Sequence, residues 1–134
     1  GRFTLISKAK YGAGVPAGAC YDGLYVWLAY AGDGRISKRL ANDELTEIKS
    51  FIYPGGTLTA LACDARFLWV ADEKLRSLVK LSPGDPETII SKTEIPQYAS
   101  KSLKITALGA RDGRLWFGAE DKGKGWLFNV TEPR

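Results

Sequence analysis

The stretch "ITALGARDGRLWFGAE" (Ile105–Glu120) decides the fold that we predict for this chain. It combines a run of small and apolar residues, an Asp-Gly turn signal, and a second apolar run with two aromatic residues. Earlier versions of the same pattern are "LTALACDARFLWVADE" (Leu58–Glu73) and "GACYDGLYVWLAY" (Gly18–Tyr30). Because one pattern of strand, turn and strand recurs, we expect a repeat architecture.

The period of the repeat indicates its type. The leucines that we take to open the aromatic strands are Leu24, Leu68 and Leu115, which recur after 44 and 47 residues. A period in the forties that consists of short strands is typical of propeller blades with four strands each. We therefore predict an all-β fold, a β-propeller segment of about three four-stranded antiparallel blades, or half a propeller.

The chain of residues 1–134 is predicted to be one propeller segment, with blade 1 at about 14–53, blade 2 at about 57–96 and blade 3 at about 104–131. Alternation and turn signals predict eleven strands in these units. They are Gly18–Tyr21, Leu24–Tyr30, Arg35–Leu40, Leu45–Ile52, Leu58–Cys63, Phe67–Ala71, Arg76–Leu81, Glu87–Thr93, Ile105–Ala110, Arg114–Ala119 and Gly125–Val130. The third unit has only three strands, and Phe3–Ile6 alternates like a fourth, so we expect residues 3–6 to complete blade 3.

The side chains of the first two strands fit this architecture. The first strand of a blade lies near the axis, where small residues such as Ala60 and Gly109 are expected. The second strand is covered on both faces and should be apolar throughout, which makes Trp69 and Trp116 predicted core residues. Asp22-Gly23 and Asp112-Gly113 predict tight hairpins, and Asp64-Ala65-Arg66 predicts a different turn in the middle unit.

At these residues the chain resembles a known family. "ITALGARDGRLWFGAEDKGKGWLFN" is similar to the regulator-propeller repeat, which occurs in sensor regions of bacterial hybrid two-component proteins. The resemblance is close over the third unit, fair over the second and weak over the first. It implies the blade architecture. The signalling role stays open, because the sensors also carry many further blades, a sandwich domain and a kinase.

The composition argues against several classes of function. The net charge is +4 and the lysines are spread among acids, which does not favour nucleic-acid binding. The chain has no His, its two cysteines are far apart, and it lacks the usual catalytic and nucleotide-binding motifs. No apolar run has the length of a membrane helix. We predict no catalytic residues, no metal ligands, no cofactor and no membrane insertion; no signal indicates a localisation.

We expect Cys20 and Cys63 to be free thiols. Both lie on first strands of successive blades, and facing sheets stand about 10 Å apart. Disulfide geometry requires Cα atoms closer than about 7 Å.

One rim of the propeller is the predicted ligand site. Loops from fourth to first strands hold Tyr11, Tyr53 and Tyr98, which recur after 42 and 45 residues. Loops from second to third strands hold acid–base pairs, namely Asp33 with Arg35, Asp72 with Lys74, and Asp121 with Lys122. Flat aromatic rings and charged groups suit a sugar or a polypeptide. The alternative is that each Tyr fills the end of its own blade and the charges are ordinary solvated loops.

These placements lead to a hypothesis about function. We predict a non-catalytic binding or assembly module that uses the rim for a protein or glycan partner. The alternative is a fragment of a larger propeller protein, such as a sensor ectodomain or a viral or cell-surface structural protein, whose function lies elsewhere; the initial Gly and the absence of Met fit a processed chain or an expressed piece. Three blades form an open arc, so either two copies close a six-bladed ring as a homodimer or the remaining blades belong to a longer chain. We also expect Trp116→Ala to damage folding more than Tyr98→Ala.

Overall fold

The computed structural model describes residues 2, 4, 5, 14–99 and 102–131 of the chain. It places eleven strands there, with a single 3-10 turn at Pro96–Ala99. The strands are β1 (Val15–Tyr21), β2 (Tyr25–Ala31), β3 (Arg35–Leu40), β4 (Glu47–Ile52), β5 (Leu58–Cys63), β6 (Leu68–Asp72), β7 (Ser77–Ser82), β8 (Asp85–Glu94), β9 (Leu103–Arg111), β10 (Arg114–Asp121) and β11 (Lys124–Thr131). The described residues include no helix with the length and apolar character of a membrane-crossing segment.

The strands form three antiparallel sheets, each an up-and-down meander. Their orders are β1-β2-β3-β4, β5-β6-β7-β8 and β9-β10-β11. The sheets span residues 15–52, 58–94 and 103–131, and we call them blades 1, 2 and 3. This confirms the all-β, propeller-type fold. Of the predicted strand Phe3–Ile6, Phe3 and Ile6 lie outside the described residues, while Thr4 and Leu5 are exposed and belong to no strand.

Each blade has two faces, because side chains alternate along a strand. We call the face toward the next blade along the chain the forward face and the opposite one the backward face. Forward-facing Trp27 of blade 1 belongs to one apolar cluster with backward-facing Leu68 and Val70 of blade 2. Forward-facing Trp69 of blade 2 belongs to a second cluster with Leu115 and Phe117 of blade 3. Blade 2 is therefore buried on both faces, as the apolar second strand predicts.

Three tryptophans occupy one repeated position. Trp27 is paired with Cys20, Trp69 with Ala62, and Trp116 with Gly109, always between the first and second strands of a blade. They recur after 42 and 47 residues. The first repeat therefore aligns on Trp27, and the predicted anchor Leu24 lies in the turn before β2, 66% exposed.

Burial reverses the predicted ranking of Trp116 and Tyr98. Trp27 and Trp69 are 1% and 2% exposed, whereas Trp116 is only partly buried. Its neighbours Leu115 and Phe117 face blade 2, so Trp116 lies on the forward face of blade 3, which no further blade covers in the described chain. Tyr98, expected in an open loop, is 0% exposed inside the second cluster. The premise that Trp116 is core and Tyr98 is not was therefore wrong.

A lysine on the third strand covers the forward Trp in both buried repeats. The ammonium of Lys38 lies 4.1 Å from the ring centroid of Tyr25 and 5.6 Å from that of Trp27. Lys80 repeats this in blade 2 with Phe67 and Trp69, at 4.1 and 5.2 Å. These cation–π contacts keep the apolar part of each lysine packed on the sheet while its charge stays near solvent.

The expectation of free thiols was also wrong, because Cys20 and Cys63 form a disulfide with a Cα–Cα distance of 5.9 Å. The 10 Å spacing describes two sheets that face each other over their whole area. First strands of neighbouring blades instead converge toward the axis. A Cβ atom added to Gly18 on β1 would lie only 3.0 Å from the backbone nitrogen of Leu61 on β5. At that separation two cysteines on the facing strands can reach each other.

The hairpins between first and second strands follow two designs. Asp22 and Asp64 each accept backbone N–H bonds at Oδ1 from the residues two and three positions later, at 2.7 to 2.9 Å. The middle turn thus shares the hydrogen bonds of the first but not its backbone, because Gly23 adopts a φ of 101° whereas Asp64, Ala65 and Arg66 have no positive φ, so the turn differs there as predicted. Among the described residues, the third hairpin lacks the Asp bonds of the other two, and its Asp112 and Gly113 adopt φ values of 49° and 79°, as a tight two-residue turn requires.

The disulfide gives a testable stability difference. It closes a loop between positions 43 residues apart, so its removal should lower the free energy of unfolding by about 2–4 kcal/mol. Urea denaturation with and without dithiothreitol measures this loss. The double variant Cys20→Ala/Cys63→Ala is the control and should not respond to reductant. Two titratable thiols in unreduced, denatured protein would contradict the bond.

Asp22 should make stability depend on acid pH. Partial burial raises its pKa, but the bond from the Trp27 indole (Nε1 to Oδ2, 2.8 Å), the amides of Leu24 and Tyr25, and the charge of Lys38 together hold the pKa of Asp22 below its ordinary value. A depressed folded pKa stabilises the fold fully above the unfolded pKa of about 4. That stabilisation is lost as the pH falls through the lower, folded pKa.

We therefore expect native protein to be more stable than Asp22→Asn at neutral pH, with the difference shrinking as the pH falls from about 5 to about 2. Urea denaturation of both proteins at each pH measures the difference. A difference that stays constant over this range would contradict the assignment.

Candidate functional site

One rim of the arc carries the loops β2–β3, β4–β5, β6–β7, β8–β9 and β10–β11, because successive strands alternate in direction. A direct contact confirms that loops of both predicted sets meet there. The hydroxyl of Tyr53, just after β4, donates to Oδ2 of Asp72, at the end of β6, over 2.6 Å. We call this surface the rim.

Asp72 is a completely buried carboxylate, at 0% exposure. Besides the Tyr53 hydroxyl, it accepts three backbone N–H bonds, from Gly56 at 2.7 Å and from Thr57 and Leu75 at 3.0 Å each. Four donors satisfy both oxygens of a charged acceptor, which offsets its desolvation. The carboxylate thus joins the connection between blades 1 and 2 to the β6–β7 turn. These four bonds give Asp72 a structural role.

Tyr53 is equally enclosed, at 4% exposure. Burial, together with the bond to the Asp72 carboxylate and its charge, raises the pKa of Tyr53 far above its ordinary value. The backbone beside it is packed so closely that a Cβ on Gly55 would overlap the Tyr53 hydroxyl, and one on Gly56 would lie 2.6 Å from the Cβ of Lys74. The "PGG" segment is therefore needed for close approach to the carboxylate.

Tyr98 occupies the corresponding place between blades 2 and 3. Burial raises the pKa of Tyr98, against the opposing effects of the nearby Thr59 hydroxyl and the Arg76 guanidinium. That guanidinium lies 4.5 Å from the Tyr98 ring centroid and donates to the carbonyl of Leu103 over 3.2 Å. Both described rim tyrosines therefore fill the ends of their own blades, the alternative given above. Tyr11 lies outside the described residues.

The remaining predicted site residues lie on the solvent side of the rim. Asp33 is exposed and stands 4.0 Å from Arg35, whose guanidinium covers the Tyr30 ring at 4.0 Å. Lys74 and Lys122 are exposed, and Asp121 is partly buried at the end of β10. The structure thus distributes the three acid–base pairs among separate turns, and both Asp72 and Lys74 lie against the β4–β5 loop. The role of the exposed members of these pairs as ligand contacts stays a prediction.

The rim also contains a cavity that the repeat pattern missed. It has a volume of about 460 Å³ and lies between the β6–β7 turn and the end of β8. Its lining residues are Leu75, Arg76, Glu94, Ile95 and Pro96. Arg76 adopts a φ of 51°, an uncommon conformation for a residue with a Cβ. In the sequence, the charged lining residues stand in "KLR" (Arg76) and "TEIP" (Glu94). These two segments do not recur with the blade period, so the repeat analysis did not find them.

No cluster of three or more potential metal ligands occurs among the described residues. No protein-family model matches the chain, so the resemblance to the regulator-propeller repeat is not confirmed. No curated protein matches its sequence.

Solved structures do resemble the chain. Glutaminyl cyclase of Myxococcus xanthus superposes with a TM-score of 0.65 at 10% identity, over 89% of this chain and 58% of its own. A luciferin-regenerating enzyme gives 0.62 at 15% identity, over 87% and 45%. A streptogramin B lyase gives 0.54 at 17% identity, over 89% and 41%.

The fold is that of β-propeller proteins. The chain spans about half the length of these neighbours, and identities of 10–17% establish architecture alone. The neighbours are enzymes, but the likeness transfers no activity to this chain.

The Asp72 network provides a test of the rim's construction. In Asp72→Asn an amide NH₂ group replaces one acceptor oxygen and faces buried N–H or O–H donors. We expect the free energy of unfolding to fall by at least about 2 kcal/mol, and by about 1.5–3 kcal/mol in Tyr53→Phe. Exposed Asp33→Asn is the matched control, with a change within about 0.5 kcal/mol. Urea denaturation measures all three, and equal effects of Asp72→Asn and Asp33→Asn would contradict the network.

Proposed function

We propose that the chain is a non-catalytic binding and assembly module that uses its rim to bind a protein or glycan partner. The rim cavity carries this proposal, because it is concave and combines apolar walls with a few charged groups. Sites of this kind are typical of ligand recognition. The open faces of the outer blades support the assembly part.

The cavity chemistry favours a polypeptide over a glycan. Leu75, Ile95 and Pro96 provide apolar contact, while Glu94 and Arg76 provide one acidic and one basic group. An extended peptide offers apolar side chains, amides and charges together. Sugars are instead commonly recognised by stacking on exposed aromatic rings, and Tyr53 and Tyr98 are buried.

A structural role for the most enclosed carboxylate supports the non-catalytic part. Catalytic carboxylates need a free oxygen that reaches the substrate. Asp72, the one carboxylate that the described residues bury fully, is engaged by four donors within the fold. The alternative, a fragment of a larger propeller protein with its function elsewhere, remains compatible with the partial coverage of the structural neighbours.

The test is a binding screen with a charge-reversed rim. The full chain is screened against a phage-displayed library of short peptides and against a glycan array, and the affinity of each hit is measured. In Glu94→Lys we expect the affinity of a peptide hit to fall at least about tenfold. Glu44→Lys, in the exposed β3–β4 turn at the opposite rim, makes the same charge change and should leave binding unaltered.

If Glu94→Lys weakens the binding of glycan hits, the ligand of the cavity is a sugar and not a peptide. Hits that both variants bind equally would place recognition elsewhere and contradict the rim site. A chain that binds neither library contradicts the proposal.

A further inference from the structure

Two blade faces are left open in the described chain. The forward face of blade 3 presents Ala107, Gly109, Trp116, Gly118 and Leu127, and Leu127 is 79% exposed. We call it the open forward face. The backward face of blade 1 presents Ala19, Tyr21, Val26, Leu28 and Ile52, with Tyr21 58% and Ile52 53% exposed, whereas Tyr30 and Ser37 on the same face are buried. We call the exposed part of this face the open backward face. Large exposed apolar side chains grouped on a face mark an association surface.

The two interfaces inside the chain establish a pairing rule. A forward face offers small residues on its first strand and a Trp on its second, and a backward face covers them with larger aliphatic or aromatic residues. At the first interface, Gly18 admits Leu61 and Trp27 is covered by blade 2. At the second, Ala60 and Trp69 are covered by blade 3, with Leu108 packed against the same cluster.

The open faces are the third copies of the two halves of this interface. Ala107, Gly109 and Trp116 repeat the small residues and the Trp of a forward face. Leu28 repeats the position of Val70 on a backward face, and Ala19 and Tyr21 take the positions of Leu61 and Cys63. At these two positions the order of sizes is reversed, because Ala19 is smaller than Leu61 and Tyr21 is larger than Cys63. The chain therefore carries both halves of one blade interface at opposite ends of its arc.

We propose that a second copy of this chain pairs the open forward face of each protomer with the open backward face of the other, closing a six-bladed ring with two-fold symmetry. The proposal deepens the assembly part of the proposed function and rests on it. Six blades lie within the usual range of about four to eight, and two-fold pairing of identical chains satisfies both open faces at once. We choose a second copy as the partner because it supplies a backward face for blade 3 and a forward face for blade 1, in the same register as the interfaces inside the chain.

The side-chain sizes at the axis agree with this pairing. Gly109 is the forward position equivalent to Cys20, and Tyr21 is the backward position equivalent to Cys63. A Cβ on Gly109 meets no atom within 4 Å, so the space in front of it is open. In the ring, the exposed Tyr21 ring of one protomer lies over Gly109 of the other, a large residue opposite a small one, as Leu61 lies over Gly18.

Sedimentation equilibrium of the full chain at micromolar concentration tests the ring. We expect a mass twice the 14.6 kDa of the chain. Leu127→Lys and Tyr21→Lys each place a charge on one open face at an exposed position, so they should yield folded monomers. Ile90→Lys is the control, since Ile90 is 45% exposed on the outer strand of blade 2, away from both open faces, and it should remain a dimer.

A cysteine pair tests the register. In the variant Tyr21→Cys/Gly109→Cys the new thiols take the positions that Cys20 and Cys63 hold inside the chain. With glutathione disulfide as oxidant, we expect a covalent dimer on a non-reducing gel that dithiothreitol converts to single chains. Neither single variant should form it, and peptide mapping should find residue 21 joined to residue 109.

A native monomer, or a double variant without the bond between residues 21 and 109, would overturn the proposal. A ladder of higher oligomers would overturn the closed ring, because open-ended pairing continues beyond two copies. These outcomes are separable from those of the rim screen. A monomer that still binds peptides in a Glu94-dependent manner would contradict the ring but not the rim site. A dimer that binds neither library would contradict the rim site but not the ring.

Discussion

The close approach of the first strands is the constraint on which the rest of the arc depends. A backbone that passes within van der Waals contact of its neighbour accepts only small residues, and Gly18 meets the backbone of Leu61 at the limit of what a Cβ would allow. The twisted sheets diverge outward from this line. Large side chains fill the widening gap, first Trp27 and then Lys38 over its ring. The increase in side-chain size from Cys20 to Trp27 and Lys38, and from Ala62 to Trp69 and Lys80, is thus a consequence of wedge-shaped packing.

The rim shows how the same architecture uses polar groups. A connection between blades crosses from the outer edge of one sheet to the axis of the next, and its backbone N–H groups need acceptors once they are buried. Asp72 accepts from Gly56 and Thr57 of the first connection, and the Tyr53 hydroxyl adds a third donor. At the second connection Tyr98 is held by Arg76 without a carboxylate. Side chains that resemble a ligand site in the sequence therefore hold the blades together.

Much of the fold was predictable because period and alternation are local properties. Strands Arg35–Leu40 and Leu58–Cys63 were predicted at their observed bounds, and the others differ by a few residues at their ends. The errors concern distances between repeats. The disulfide depends on how closely two blades converge, and the burial of Tyr98 depends on a 3-10 turn that folds it inward. The rim cavity was missed for the same reason, since Arg76 and Glu94 come together only in three dimensions.

The repeated Trp position also shows that equivalent residues can differ in whether a neighbouring blade covers them. Trp27, Trp69 and Trp116 share strand, register and face, yet only the first two have a blade in front of them in the described chain. The sequence specifies all three as interface residues, because a large aromatic on a forward face is stabilising when the next blade covers it. Trp116, which no blade covers in the described chain, therefore indicates an interface with a further blade. In the ring that we propose, the blade in front of Trp116 is blade 1 of a second copy, whose backward face presents Tyr21 and Leu28 at the positions of Cys63 and Val70.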